Sequence, residues 1–303
     1  MTKRLFLFAA YDKNNVIDDT VVHYVKHLSS LGDVIFVMDN HLSQSEQKKI
    51  SDIDNVLHII TEKHNEYDFG SYKRGYIWAY DNKLLKKYDW LYLVNDSVYG
   101  PLSPLNNILS DLESRGVDEV GLLENTEENH PAHIQSWFLG VSKNIFTQPF
   151  FDEFMRTVKH EDDKWDIITK YEVRLSRLIL RHGFKMSAFL QSIDKKDIEI
   201  YQKPLNILAN GVPFVKKASL GVIGGRYLLN SHTDFPDIID QIYRHAVKNN
   251  YINTNTSNDI KTHVKIFRLT LLSIPIVTIY KKFGFNEYKV CIFDKIPIVK
   301  IIK

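Results

Sequence analysis

Cysteine is almost absent from this sequence, and long apolar runs are absent altogether. The single cysteine, Cys291, excludes a disulfide framework and a metal cluster built from several thiolates. No segment approaches the roughly 18 consecutive apolar residues that a transmembrane helix needs. The apolar part of the N-terminal stretch MTKRLFLFAAYDKNN is also too short for the core of a signal peptide. The stretch therefore predicts a first β-strand, and we expect a cytoplasmic protein.

An excess of charge of either sign is also missing. The chain has 39 Lys and Arg residues and 37 Asp and Glu residues, which leaves a formal net charge of +2. This balance gives no support for nucleic-acid binding by the chain as a whole. The 303 residues, of which 44% are hydrophobic and 25% charged, are typical of a globular protein with one large domain or two modest ones.

Strand-like and helix-like segments alternate over residues 1–125. Apolar runs such as RLFLFAAY, DVIFVMDN and WLYLVND are separated by segments with helical spacing. This alternation predicts an α/β fold with a mostly parallel sheet flanked by helices. Helical patterns and loops dominate residues 126–248, which we expect to form the second half of the same domain. A polar stretch then leads into a small C-terminal tail, residues 249–303.

Polar residues follow the predicted strands. Four strand ends carry them: Tyr11 with Asp12, Asp39 with Asn40, the loop 64–73, and Asn95-Asp96-Ser97. Asn, Asp and Ser bond their own backbone in turns, so the last of these could be purely structural. In doubly wound sheets, however, ligands bind beyond the carboxyl ends of the strands. Four polar ends at one edge favour a ligand site.

The segment HNEYDFGSYKRGY, residues 64–76, suits an anionic ligand. Gly70 and Ser71 at a helix N-terminus would present amide groups to phosphate, and Lys73 would add a positive charge. The alternative is a glycine that only permits a turn into the helix. The tripeptide at 68–70 also resembles a kinase motif, but neither a glycine-rich loop nor an HRD loop is present, so a kinase is excluded.

Three further segments carry candidate residues in the second half of the chain. In HPAHIQSWFLGVSK, His130 and His133 lack a third ligand for zinc, whereas the following Gln, Ser and Trp suit hydrogen bonding and stacking on a sugar. A structural edge strand is the alternative. Glu172 near a helix start either stabilises the helix dipole or acts as a general base. Lys216 and Lys217 in NGVPFVKK are available for an anionic group.

Five motifs occur in a fixed order: YDFGSYKRGY, YLVNDSVYGPL, HIQSWFLGV, YEVRLSRLI and NGVPFVKK. Through them, residues 4–217 resemble the rhamnan synthesis protein F family of bacterial polysaccharide glycosyltransferases. The resemblance implies a GT-A-like, Rossmann-type fold and transfer of a sugar, typically L-rhamnose from dTDP-L-rhamnose, to a growing glycan on a lipid carrier. A donor carrying UDP or GDP is one alternative, and a non-catalytic glycan-binding or scaffold protein is another.

The resemblance also implies roles along the chain. Residues 1–125 would bind the nucleotide sugar, and residues 126–248 would bind the acceptor and catalyse transfer. The residues expected to bind the donor are Tyr11, Asp39, Asp68, Gly70, Ser71, Lys73, Asn95 and Ser97. The residues expected to bind the acceptor or its sugar are His133, Gln135, Ser136, Trp137 and Lys216.

The expected reaction is a single displacement with inversion. Glu172 removes a proton from the acceptor hydroxyl as it attacks an anomeric carbon of oxocarbenium character. Residues 95–97 fall where GT-A enzymes carry an Asp-x-Asp motif, but only one carboxylate, Asp96, is kept. Two sources of positive charge for the leaving diphosphate therefore stay open. One is Mg²⁺ or Mn²⁺ on Asp96, and the other is Lys73, the amides near Gly70 and Lys216.

The C-terminal segment mixes apolar and basic residues, and SIPIVTIYKK is echoed by KIPIVKIIK. Residues 264–303 either bind a partner or the anionic inner face of the cytoplasmic membrane, or pack as a terminal element on the protein's own core.

Overall fold

The protein is described from a computed structural model. The structure describes residues 2–126, 131–191, 203–223, 229 and 232–252, together with the strands between 263 and 302. The chain divides into two compact units, Met1–Lys217 and Ala218–Lys303.

The first unit alternates strands and helices. Its strands are β1 (Arg4–Ala10), β2 (Asp33–Met38), β3 (Val56–Thr61), β4 (Trp90–Asn95), β5 (Val98–Tyr99), β6 (Glu119–Asn125), β7 (His133–Ile134), β8 (Phe138–Ser142), β9 (Met186–Leu190) and β10 (Val215–Lys216). Its helices are α1 (Asp19–Ser29), α2 (Gln44–Ser51), α3 (Tyr67–Asp81), α4 (Asn106–Ser114), α5 (Lys143–Phe146), α6 (Pro149–Arg156), α7 (Lys164–Ile167), α8 (Arg174–Arg181) and α9 (Pro204–Ala209). A π-helix over Ile168–Val173 joins α7 to α8, and 3-10 turns cover Leu85–Lys87 and Lys217–Ser219.

One central sheet organises the first unit, with the strand order β3-β2-β1-β4-β8-β6-β7 and with β9 paired to β6. β1 is parallel to β2 and β4, β2 to β3, and β6 to β9, whereas β8 is antiparallel to β4 and β6. The chain leaves β1 towards β2 and β3 and then returns to β4 on the other side of β1. The carboxyl ends of β1 and β4 therefore flank the switch point, where such sheets bind ligands.

Burial on both faces explains why the strands are continuous apolar runs. All seven residues of β1 are buried. Phe6 and Phe8 pack into the core that α1 covers, and Leu5 and Leu7 pack into the core that α3 covers. A parallel strand between two helical layers has no solvent-facing side, so it needs no polar residues.

The second unit has its own elements. They are α10 (Leu220–Ile223), α11 (Pro236–Lys248), β11 (His263–Leu271), β12 (Ile274–Lys282), β13 (Glu287–Ile292) and β14 (Ile296–Ile302). The four strands form an antiparallel sheet in the order of the sequence. The two similar segments SIPIVTIYKK and KIPIVKIIK thus supply β12 and β14.

The prediction of an α/β fold with a mostly parallel sheet flanked by helices is confirmed. The described residues of the region 126–248 form helices and also the strands β7 to β10. Of these strands, β8 inserts between β4 and β6, an order that no local pattern indicates. Within the described part of the chain, no helix combines the length and the apolar character needed to cross a bilayer.

Candidate functional site

The polar break after β4 is both a turn and a cluster of side chains. Asn95 Oδ1 accepts hydrogen bonds from the amide of Ser97, at 3.0 Å, and from its hydroxyl. Asn95 Nδ2 donates to Asp68 Oδ2 at 2.7 Å. The amide of Asp96 donates to the carbonyl of Ala9 at 3.1 Å, which ties the break to the end of β1. The turn thereby places the carboxylates of Asp68 and Asp96 at the switch point.

Two lysines are held over this turn by backbone pairing. β10 lies antiparallel to β5, with Lys216 opposite Val98, and the amide of Lys217 donates to the carbonyl of Ser97 at 3.0 Å. Lys216 Nζ donates to Ser97 Oγ at 2.7 Å, and Lys217 Nζ lies 3.2 Å from Asp96 Oδ2. Both lysines are buried. Lys216 was an expected site residue, but the ion pair that Lys217 makes across 121 residues is visible only in the fold.

The charges at this edge influence one another. Burial, then the charge of Asp96, raises the pKa of Asp68 to about 7, while Lys216 opposes this shift. Burial lowers the pKa of Lys216 to about 8, against the attraction of Asp68 and Glu172. Burial also raises the pKa of Asp96, and the ammonium group of Lys217 opposes that shift. The structure therefore brings residues expected for donor and acceptor binding into one electrostatic cluster.

Glu172 lies on the π-helix, a local irregularity that is frequent at functional sites. Its Oε2 accepts hydrogen bonds from the amide of Ser136, at 2.8 Å, and from the Ser136 hydroxyl. Its Oε1 lies 3.5 Å from His133 Nε2. Burial alone would raise the pKa of Glu172, but the bonds from His133 and Ser136 hold it below its usual range. Glu172 is therefore ionised at neutral pH, and 19% of its side chain is exposed.

His133 lies behind Glu172. Its side chain is 1% exposed, and Nδ1 donates to the carbonyl of Pro131 at 2.8 Å, which turns Nε2 towards Glu172. Burial lowers the pKa of His133, but the hydrogen bond and charge of Glu172 outweigh it and raise the pKa above its ordinary value. His133 was predicted to contact the acceptor, whereas its buried position behind Glu172 suits orientation of that carboxylate.

Gln135 and Trp137 are buried and bonded to each other, with Trp137 Nε1 donating to Gln135 Oε1 at 2.7 Å. The Trp137 ring packs on Phe214, with ring centroids 5.6 Å apart, and Lys216 Nζ lies 5.8 Å from the indole centroid. Trp137 thus supports Lys216 through packing and a cation–π contact.

The residues expected to bind the donor occupy two places along the sheet edge. Tyr11, beyond β1, is 53% exposed, and Lys63 Nζ lies 4.6 Å from its ring centroid. Asp39 accepts hydrogen bonds from the amides of His64, at 2.6 Å, and Asn65, at 3.1 Å. These bonds, against the effect of burial, lower the pKa of Asp39. Tyr11 is accessible to a flat ligand, while Asp39 anchors the loop after β3.

The start of α3 differs from the expectation. The helix begins at Tyr67, so the amide of Gly70 already donates to the carbonyl of Glu66 at 3.1 Å. Ser71 Oγ is bonded to His64 Nε2 at 3.0 Å. Lys73 Nζ lies 2.7 Å from Glu66 Oε2 and donates to the carbonyl of Val158. The phosphate contacts expected of residues 70, 71 and 73 stay predictions, and the geometry gives these groups intramolecular partners instead.

The donor set around Asp96 does not fit a resident divalent cation. Among the residues that the structure describes, no three His, Cys, Asp or Glu side chains are grouped to hold a metal. Asp96 is paired with Lys217 and accepts a hydrogen bond from the backbone amide of Tyr11. Asn95 Oδ1 already accepts two bonds from Ser97.

Comparison with known proteins identifies a family whose sequence model matches this chain. A sequence model of the rhamnan synthesis protein F family matches residues 34–296. The uncharacterized protein y4gN of Sinorhizobium fredii is 26% identical over 168 residues, which cover 54% of this chain and 43% of that protein. The chain thus matches less than half the length of this curated relative.

Two solved structures are similar over part of the fold. The mannosyltransferase Ktr4p from S. cerevisiae, in complex with GDP, is 8% identical with a TM-score of 0.36 over 51% of this chain and 60% of that one. A glycosyltransferase involved in glycosylation of the major capsid of PBCV-1 is 10% identical with a TM-score of 0.34, over 70% of this chain and 91% of that one. Neither similarity assigns a role to any residue. The family match, in contrast, covers most of the chain, and the protein belongs to the rhamnan synthesis protein F family.

Proposed function

We propose that the protein is a glycosyltransferase that moves a sugar from a nucleotide donor to a glycan acceptor. The observation that carries this proposal is Glu172, an ionised carboxylate held by Ser136 and His133 beside the polar carboxyl edge of the sheet. Because this carboxylate is ionised at neutral pH and partly exposed, it can accept the proton that an acceptor hydroxyl loses as its oxygen bonds to the anomeric carbon. Membership of a polysaccharide synthesis family supports the same reaction.

The proposed reaction is a single displacement that inverts the anomeric carbon. The acceptor hydroxyl oxygen forms a bond to that carbon, its proton passes to Glu172, and the bond from the carbon to the diphosphate oxygen breaks. The nucleoside diphosphate leaves with the bonding electrons. His133 keeps Glu172 oriented through the 3.5 Å contact. Asp68 is held by Asn95 and Asp96 by Lys217 at the same edge of the sheet.

We assign most of the donor side to the first half of the chain and the catalytic base to the second half. Residues 1–125 supply the donor side, where the exposed ring of Tyr11 is placed to stack on a nucleobase. Residues 126–248 supply Glu172, Ser136 and His133 on the acceptor side. We propose L-rhamnose from dTDP-L-rhamnose as the donor, on the basis of the family, with UDP- and GDP-sugars as alternatives. The acceptor is proposed to be a lipid-linked glycan, with residues 264–303 contacting the inner membrane face.

A panel of nucleotides tests the proposal. Melting temperatures are measured with dTDP, UDP, GDP and their sugars, and transfer is then assayed with the donor that binds. A ligand at about 100 times its Kd stabilises the folded state by about 2.7 kcal/mol. For a unit of this size, that amounts to about 5–10 °C. Selectivity for UDP or GDP would retain the glycosyltransferase and replace rhamnose. A protein that binds glycan but no nucleotide would instead be the non-catalytic alternative, and the proposal would be wrong.

A further inference from the structure

We propose that Lys216 and Lys217 hold the donor diphosphate in the place of a divalent metal ion, so that donor binding and transfer need no metal. The inference rests on the proposed glycosyltransferase function and names the groups that neutralise its leaving diphosphate. It is supported by the position of the two lysines, the backbone pairing of their segment, the charges around them and the partners of the other groups that could bind a diphosphate or a metal.

The position of the two lysines is the switch point itself. Lys216 Nζ is bonded to Ser97 Oγ at 2.7 Å, and Lys217 Nζ lies 3.2 Å from Asp96 Oδ2. Asp96 is in turn tied to the end of β1 through the carbonyl of Ala9. A diphosphate bound beyond the carboxyl ends of β1 and β4 would therefore meet both ammonium groups.

Backbone pairing holds the lysine segment rigidly. The amide of Lys217 donates to Ser97 O, and the amide of Leu102 donates to Pro213 O at 2.8 Å. Gly100 has φ of +144°, and a Cβ there would lie 2.5 Å from the ring of Phe214, so only glycine permits this close approach. The segment 213–217 is thus fixed to 97–102, and cations placed before the reaction stabilise developing charge without reorganisation.

Lysines and carboxylates lie together at the site, so the protonation of Asp68 affects their balance. Lys216 interacts electrostatically with Asp68, Asp96 and Glu172, and the exposed Lys164 adds a further positive charge nearby. Because burial and Asp96 raise the pKa of Asp68, that carboxyl carries less than a full negative charge at neutral pH. A bound diphosphate would provide Lys216 with negative charge that the partly protonated Asp68 does not provide. A divalent cation would be repelled by the two ammonium groups and attracted by Asp96 and Glu172, so the lysines weaken its binding here.

Other sources of positive charge are already engaged. Lys73, an expected donor ligand, is bonded to Glu66 and to the carbonyl of Val158. The oxygens that could bind a metal accept hydrogen bonds from Lys217, Ser97 and the amide of Tyr11. Among the residues that the structure describes, Lys216 and Lys217 are the buried lysines at the switch point, and an arriving diphosphate would take the place of Ser97 and Asp96 as the partner of their ammonium groups.

The test is the affinity for the best-binding nucleoside diphosphate, measured by calorimetry in excess EDTA and again in excess Mn²⁺. We expect the two dissociation constants to agree within about 2-fold. Lys216→Met and Lys217→Met should each weaken diphosphate binding by about 10- to 100-fold, because each removes a charged hydrogen bond to phosphate. Affinity for the nucleoside without phosphates should stay within about 2-fold of wild type.

Two further variants keep the result interpretable. Lys217→Met leaves Asp96 buried without this partner, so the double variant Lys217→Met/Asp96→Asn removes the pair together and should fold while still losing diphosphate binding. Lys49→Met, which removes a lysine paired with Glu46 on α2, is the matched control and should bind normally. Binding that requires Mn²⁺, or lysine variants that bind like wild type, would overturn the inference. Absence of nucleotide binding under every condition would overturn the proposed function as well.

Discussion

Asp68 offers a direct measure of the electrostatic cluster at the switch point. It lies in the first turn of α3, accepts a hydrogen bond from Asn95 Nδ2 and interacts with the charges of Asp96, Glu172 and Lys216. The substitution Asp68→Asn removes its charge but keeps a carbonyl oxygen that can accept the bond from Asn95. The substitution therefore separates the cost of the charge from the contribution of the hydrogen bond.

The magnitude follows from the pKa. Burial and Asp96 raise the pKa of Asp68 from 3.8 to about 7, which is about 4 kcal/mol at about 1.4 kcal/mol per pKa unit. Asp68 is partly exposed and its titration is linked to that of Lys216, so we expect about half of this value. The folded state binds this proton more tightly than the unfolded state. Stability is therefore lost as pH rises from about 4 to about 7.

Asp68→Asn should accordingly raise the free energy of unfolding by about 2 kcal/mol at pH 8 and by about two-thirds of that at pH 5. For a unit of about 200 residues, the gain at pH 8 corresponds to about 4–8 °C in Tm. Thermal melts of wild type and variant at both pH values measure it. The control is Asp54→Asn, which removes the same charge from an exposed position and should change Tm little at either pH.

One result would refute this reasoning. If Asp68→Asn lowers Tm equally at pH 5 and pH 8, the carboxylate is needed as a hydrogen-bond acceptor and its charge does not destabilise the folded state. The electrostatic cluster would then be far weaker than the burial of its members indicates.

Two other substitutions test the base and the packing. Glu172→Gln should lower kcat by about 10²- to 10⁴-fold and leave the donor Kd unchanged, because the amide cannot accept the proton. Rapid kinetics measures kcat and calorimetry measures the donor Kd. Near-normal turnover would exclude Glu172 as the base. Gly140→Ala should cost about 1–3 kcal/mol in a urea titration, since its Cβ would lie 2.5 Å from the Tyr92 ring. Gly75→Ala, which meets the flexible Leu7 side chain at 3.1 Å, should cost less, and equal effects would contradict the packing argument.

Local patterns were sufficient for most strands and helices of residues 1–125 and for the polar edge of the sheet, but not for the strands β7 to β14. β1 is apolar from its second residue, Leu5, to its last, Ala10, because both of its faces are buried, so its sequence alone identifies a central strand. The polar residues after β1 and β4 were also identified from the sequence, because parallel strands end at a common edge of the sheet. The start of α3 was misplaced at Gly70, because a glycine resembles a helix boundary even where it lies within the first turns.

Pairing between distant segments was decided by the tertiary structure alone. Lys217 meets Asp96, far away in the sequence, because β10 pairs with β5. His133 meets Glu172 because the π-helix lies against β7. Periodicity reports only which face of an element is buried. Partners depend on strand order and crossovers, so the sequence by itself determined the α/β elements and the polar edge, and the fold decided which charges meet there.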